Sequence, residues 1–285
     1  MRFTLPVRFS LPVLFLTVLT VNTNAALIVF EPFDYSSGSQ PGNGGLGWKE
    51  AWASDSMATT HGGLAYTGPG GNMLDVAGNA SSRLGNGSSQ TESVRDFQNE
   101  LTSSFWFSVL IRGGAGNETV ALGINESFYI GQGAKDVISS SWGLYDADKT
   151  ELSGLSILAG NDTSLFVGKA IYEQPQDKFT QLHLWRNPNL STQPAVTDAT
   201  KFYSGSIKEF DKVPRISVYH TSSLVALDEI RFGQSFADVT SFSSSRSGSA
   251  VPEPPSLTIL AVLLPLAYLA HRKRTRQARW VDRKC

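Results

Sequence analysis

The stretch Ser104-Phe105-Trp106-Phe107-Ser108-Val109-Leu110-Ile111-Arg112 decides the fold. Phe105, Phe107, Val109 and Ile111 recur at every second position, while Trp106, Ser108 and Leu110 point to the other side. Side chains alternate across a strand, so this is a strand covered on one face and partly on the other. Working outward, the same period of two predicts strands over Val120–Ile124, Ser127–Ile130, Trp142–Tyr145, Leu165–Tyr172, Phe179–Trp185, Arg215–His220 and Ala226–Phe232. Gly113-Gly114-Ala115-Gly116-Asn117, Gly131-Gln132-Gly133 and Ala159-Gly160-Asn161-Asp162 read as breaks between them. No amphipathic helix of more than about two turns is evident, and no fixed repeat points to a propeller or solenoid. Short strands closed by such loops predict an all-β antiparallel β-sandwich of jelly-roll type.

Composition agrees with that class. The chain has 285 residues, 26 of them glycine, and 11% aromatics, a mix that favours short strands and tight turns. Nine of the 24 basic residues lie near the two termini, at Arg2, Arg8, Arg272, Lys273, Arg274, Arg276, Arg279, Arg283 and Lys284. The remainder holds 15 basic against 23 acidic residues once Glu253 and Asp282 are also set aside. A nucleic-acid partner is disfavoured, because counterion release needs a clustered basic surface. The single cysteine is Cys285, the last residue, so no disulfide can staple the domain. Its stability must come from buried apolar area.

Both ends carry targeting signals. Arg2 and Arg8 precede the apolar run Phe9 to Val21, and small residues follow at Thr23-Asn24-Ala25-Ala26, the layout of a secretory signal peptide with cleavage after Ala25. That run of 13 residues would span roughly 20 Å as a helix, short of a ~30 Å hydrocarbon core. The expected organisation is therefore a signal peptide at 1–25, an ectodomain at 26–240, a Ser-rich linker at 241–250, a tail signal at 251–276 with a transmembrane helix at about 256–270, and a basic cytoplasmic extension at 277–285. The tail consists of Val251-Pro252-Glu253-Pro254-Pro255, the apolar stretch Leu257 to Ala270, and the cluster His271-Arg272-Lys273-Arg274-Thr275-Arg276. Prolines hold the first part extended, the second can enter a membrane as a helix, and the third keeps its end in the cytoplasm.

Val251-Pro252-Glu253-Pro254, the short helix and Arg272, Lys273 and Arg274 together resemble the PEP-CTERM sorting signal of Gram-negative bacteria that make extracellular polysaccharide. The resemblance implies recognition by an exosortase, a membrane cysteine protease, after a signal peptidase has removed the leader. It further implies transient anchoring in the inner membrane, then release to the cell surface or matrix. Gln277 to Cys285 run past the point where that signal usually ends.

Two stretches frame the ectodomain. Phe30-Glu31-Pro32-Phe33-Asp34-Tyr35 opens it, followed by Gly44-Gly45-Leu46-Gly47-Trp48 and Ala51-Trp52; Leu227-Asp228-Glu229-Ile230-Arg231-Phe232-Gly233 and Phe236-Ala237-Asp238-Val239-Thr240 close it. The pair resembles the laminin-G-like, concanavalin A-like jelly rolls of bacterial surface proteins, where such motifs lie on the first and last strands; Phe236 stands where those proteins often have Trp. Glu31, Asp34, Asp228 and Glu229 are candidates for a framework role, a cation or a glycan, and Arg231, two residues beyond Glu229, could pair with it.

Catalytic patterns are scarce. No strand presents the alternating acids of a glycoside hydrolase, and no G-x-S-x-G elbow or H-x-x-x-H pair occurs. Asp146 and Asp148 read as a charged turn that could instead lend oxygens to Ca2+, the one cofactor the resemblance allows. His61, His183, His220 and His271 are scattered. Trp48, Trp52, Trp142, Trp185, Tyr66 and Tyr145 could offer ring faces to sugars, although aromatics in a sandwich more often fill the core. Six Asn-x-Ser/Thr sequons, at Asn79, Asn86, Asn117, Asn125, Asn161 and Asn189, follow from an Asn/Ser/Thr-rich surface. The expectation is a non-catalytic surface protein for adhesion, matrix structure or polysaccharide binding, with an extracellular carbohydrate-active enzyme as the alternative.

Overall fold

The computed structural model describes residues 27–38, 41–53, 57–60, 62–69, 71–83, 89–153 and 157–241. The expected signal peptide, linker, tail signal and membrane helix, with Ala25, Val251, Pro252, Glu253, Pro254, Arg272, Lys273 and Arg274, lie outside these residues.

The described strands are β1 (Leu27–Glu31), β2 (Met57–Thr60), β3 (Ala80–Arg83), β4 (Thr91–Leu101), β5 (Phe105–Arg112), β6 (Val120–Ile124) and β7 (Phe128–Ala134). They continue with β8 (Val137–Asp146), β9 (Ile157–Leu158), β10 (Thr163–Glu173), β11 (Lys178–Arg186), β12 (Lys201–Phe210), β13 (Val213–His220) and β14 (Ala226–Gly233), before the helical turn α1 (Phe236–Val239). One sheet runs β12-β11-β10-β5-β14-β3-β2, with β1 also on β14; the other runs β4-β13-β6-β7-β8-β9. All pairs between these strands are antiparallel. The chain crosses between sheets at β3 to β4, β4 to β5, β5 to β6, β9 to β10, β12 to β13 and β13 to β14, as a jelly roll requires.

The core follows from the alternation in β5. Phe105, Phe107, Val109 and Ile111 point into the sandwich against Leu122, Ile130, Leu144 and Val218. The opposite face is covered too: Trp106 and Leu110 join Leu64, Tyr66, Leu165, Trp185 and Phe236 in a second apolar cluster. Loops and α1 thus seal the outside of the larger sheet, with Trp106 stacked on Trp185 at 5.7 Å.

Three expectations need correction. Gly131-Gln132-Gly133 is no break but the interior of β7, where Gln132 faces Trp142 across the ladder. Phe236–Val239 is not on the last strand: Ser235 and Asp238 form a reciprocal capping box that turns the chain into a helix. The strands β2, β3, β4, β9 and β12 carry no predicted counterpart, β2, β3 and β9 being only two to four residues long. The inward side chains of β4 include Ser93 and Arg95, and pairing of β12 with β11 slips in two places, so neither shows a clean apolar period.

Candidate functional site

The opening motif builds an internal knot. Glu31 is fully buried and accepts hydrogen bonds from Phe33 N at 2.8 Å, Tyr35 Oη at 3.1 Å and Trp52 Nε1 at 2.9 Å, and it pairs with Arg95 from β4. Burial pushes its carboxyl up, against the pull of the Arg95 guanidinium. Arg95 in turn lies over Trp48 at 4.7 Å and Trp52 at 5.7 Å. The half-buried Trp48 donates to Phe30 O, and Trp52 is buried; Asp34 is exposed.

The closing motif is a clamp. Glu229 has φ of 52° and sits where the β14–β5 pairing slips, so both acids turn toward the 62–79 segment. Asp228 accepts from Leu64 N at 2.7 Å, and Glu229 accepts from Ala77 N at 2.6 Å and from Arg231 Nη2 at 2.6 Å. Arg231 also donates to Asp75 O. Burial raises the Asp228 carboxyl well above the usual range, helped by the adjacent Glu229, and raises Glu229 against the opposing Arg231. These groups carry hydrogen bonds that hold the segment, not free lone pairs aimed at solvent.

The other candidates are dispersed. Asp146 Oδ1 accepts from Asp148 N at 2.9 Å and Thr150 N at 2.8 Å, a self-bonded turn, while Asp148 pairs with Lys208 at 3.2 Å. Among the described residues no cluster of three or more His, Cys, Asp or Glu side chains could hold a metal. Trp142, Trp185 and Tyr66 are buried and offer no ring face to a ligand. His183 bonds Ser204 at 2.8 Å, and His220 is buried against Ser81.

A face that the sequence reading did not assemble lies on the outside of the six-stranded sheet. Ile216 and Val218 of β13 point into the core, so Ser217 and Tyr219 point out. Across the ladders Tyr219 stands opposite Glu92 and Ala121, Gly123 opposite Tyr129, and Tyr129 opposite Tyr145. The absence of a side chain at Gly123 and Gly143 lets the rings lie on the backbone: a Cβ at Gly123 would meet Tyr129 at 3.0 Å, and one at Gly143 would meet Tyr145 at 2.5 Å. Tyr129 and Tyr219 meet edge to face at 5.6 Å. Tyr219 Oη donates to Glu92 Oε1 at 2.6 Å, and Lys135 Nζ lies 3.5 Å from Glu92 Oε2 and 3.9 Å from Glu126 Oε2. Burial pushes the Tyr129 hydroxyl up to about 12, and burial with the Glu92 hydrogen bond pushes Tyr219 higher still, so both stay protonated donors at neutral pH. Of this group the sequence reading named only Tyr145.

No family model matches the chain, and no curated protein matches it. Solved structures overlap it loosely. Domain 4 of AbnA, a GH43 extracellular arabinanase from Geobacillus stearothermophilus in complex with arabinotriose, shares 11% identity over 76% of this chain and 97% of its own, with a TM-score of 0.39. A mutant of the alginate lyase Aly36B with alginate tetrasaccharide shares 10% over 74% and 98%, at 0.35. The exoplasmic/lumenal domain of VIP36, in a Ca2+/Man-bound form, shares 8% over 57% and 80%, at 0.34. Overlaps this loose leave the architecture to rest on the strand order above.

Proposed function

We propose that this chain is an exported bacterial surface or matrix protein, sorted through its PEP-CTERM-like tail, whose jelly roll binds polysaccharide without turning it over. The observation that carries the binding reading is the outer face of the six-stranded sheet, where Tyr129, Tyr145 and Tyr219, covered in this structure by the β7–β8 turn, lie over Gly123 and Gly143 beside Glu92. Aromatic rings with hydroxyl and carboxylate groups at their edge suit the apolar faces and hydroxyls of sugar rings. The sorting reading rests on the order VPEP, apolar stretch and basic cluster in residues 251–276.

Two measurements test it. Intact mass of the protein recovered from its host should show loss of residues up to about Ala25 and of everything after the Pro252–Pro254 region; a membrane-bound form still carrying Arg272 to Cys285 would make the tail an ordinary anchor. The mature protein should be retained on immobilised polysaccharide, and Tyr219→Ala should lose that retention. Retention unchanged by Tyr219→Ala and Tyr129→Ala would move binding off this face.

A hydrolytic reading has one observation in its favour. Glu92 and Glu126 both approach Lys135, so their nearest oxygens are at most about 7.4 Å apart, below the ~9.5 Å upper end of the range for paired glycosidase carboxylates. Release of reducing ends from a polysaccharide, lost in Glu92→Gln, would favour it over the non-catalytic one.

A further inference from the structure

The tyrosine face is roofed. Tyr129, Tyr145 and Tyr219 point away from the sandwich core yet are only 2%, 5% and 1% exposed. With Ala121 they form a cluster whose remaining members are Ala134 and Val137, the two ends of the β7–β8 turn. That turn is folded back over the sheet. Lys135 follows the end of β7 but reaches Glu126, which precedes its start, although seven residues of strand span roughly 20 Å. Asp136 likewise reaches Lys149, beyond the far end of β8, at 2.8 Å. The fold-back is set at Gly133, whose φ is 75° and where a Cβ would lie 2.3 Å from Val137 O. Pairing of β7 with β8 slips at the same place.

What fastens the turn is polar: Thr119 Oγ1, on a buried residue, donates to Val137 O at 2.9 Å, and the remaining ties are near solvent. Gln90 donates to Ala134 O at 2.7 Å and accepts from Asp136 N at 2.6 Å, and Lys135 and Lys149 supply the ion pairs. Contacts of this kind contribute little each and exchange readily with water. Beneath them lie three hydroxyl-bearing rings, an unusual lining for a permanently sealed patch.

We infer that the β7–β8 turn, residues 134–137, is a strap that closes the tyrosine face and must lift for a saccharide chain to lie on it. This rests on the polysaccharide-binding reading for the identity of the occupant, but the strap itself can be tested without any ligand. Tyrosine nitration by tetranitromethane, mapped by peptide mass on the full mature protein, reports ring access. In the wild type Tyr129, Tyr145 and Tyr219 should react slowly. Gln90→Ala with Lys135→Ala should raise their rates by about tenfold, the factor expected from losing two hydrogen bonds and two weak ion pairs, while Tyr66, buried on the other sheet, stays slow. Unchanged rates at the three tyrosines would overturn the strap. Should Tyr66 also accelerate, the double variant has loosened the domain, and Lys135→Gln alone decides by the same ratio. Tighter retention of the double variant on polysaccharide would support the strap as the gate of that site. Faster nitration with no retention on any polysaccharide, in wild type or variant, would keep the strap and reject the polysaccharide.

Discussion

His220 makes a quantitative test of the packing between the sheets. It ends β13 and is fully buried; Ser81 Oγ lies 3.4 Å from its Nε2, while Nδ1 has no hydrogen-bond partner among the described residues. Burial pushes the imidazole down to about 3 from the usual 6.5. The folded protein therefore holds His220 neutral, whereas the unfolded chain takes up a proton below pH 6.5. Stability from this group is complete above pH 6.5 and falls as pH drops toward 3, with a limiting slope of about 1.4 kcal/mol per pH unit. The loss amounts to about 2 kcal/mol by pH 5 and about 4 to 5 kcal/mol at the acid end. Glu31, Asp228 and Glu229 are shifted up by burial and act with the opposite sign, gaining relative stability as pH falls. The wild-type curve alone would mix the two. The difference between wild type and His220→Gln removes the carboxylates, which both proteins share, and Gln offers Ser81 a partner without titrating. Urea denaturation of the mature protein from pH 8 to pH 4.5 should show His220→Gln gaining on wild type by about 2 kcal/mol between pH 6.5 and pH 5. Parallel curves would refute a buried neutral imidazole.

Other substitutions probe the two knots and the tyrosine floor. Arg95→Met strands the Glu31 carboxylate in the interior and should cost about 3 to 5 kcal/mol, while adding Glu31→Gln should recover part of that, measured by urea denaturation at pH 7. Glu229→Ala leaves Ala77 N without its acceptor and takes the carboxylate from Arg231, and should raise hydrogen exchange in residues 71–78 well before the sheets exchange. Gly143→Ala drives a methyl group into the Tyr145 ring and should cost about 1 to 3 kcal/mol in thermal or chemical denaturation.

The legible part of the fold was the part where packing is simplest. β5 and β6 lie in the middle of their sheets with inward apolar side chains at every second position, so period two appears undisturbed. β4 is an edge strand whose inward positions carry Ser93 and Arg95, because Arg95 must reach Glu31; a buried ion pair looks like surface in the sequence. In β12 the inward Phe202 and Ile207 are five residues apart, an odd spacing that only a slipped register can reconcile.

The tyrosine face was hidden for a different reason. Its members come from β4, β6, β7, β8 and β13, and each of these strands by itself reads as ordinary core or edge. The signal exists only in the register: Gly131 stands opposite Gly143, and Gly123 stands opposite Tyr129, all on the face that carries the rings. Glycine weakens a strand through backbone entropy and lost packing, so three of them on one face of neighbouring strands cost stability. The space left at Gly123 and Gly143 is taken by tyrosine rings, under a turn tied down at Gln90. A purely structural outer face would be better served by β-branched residues and a solvated surface. On the binding reading proposed above, the same rings and hydroxyls are the groups on which a saccharide would lie once the turn lifts.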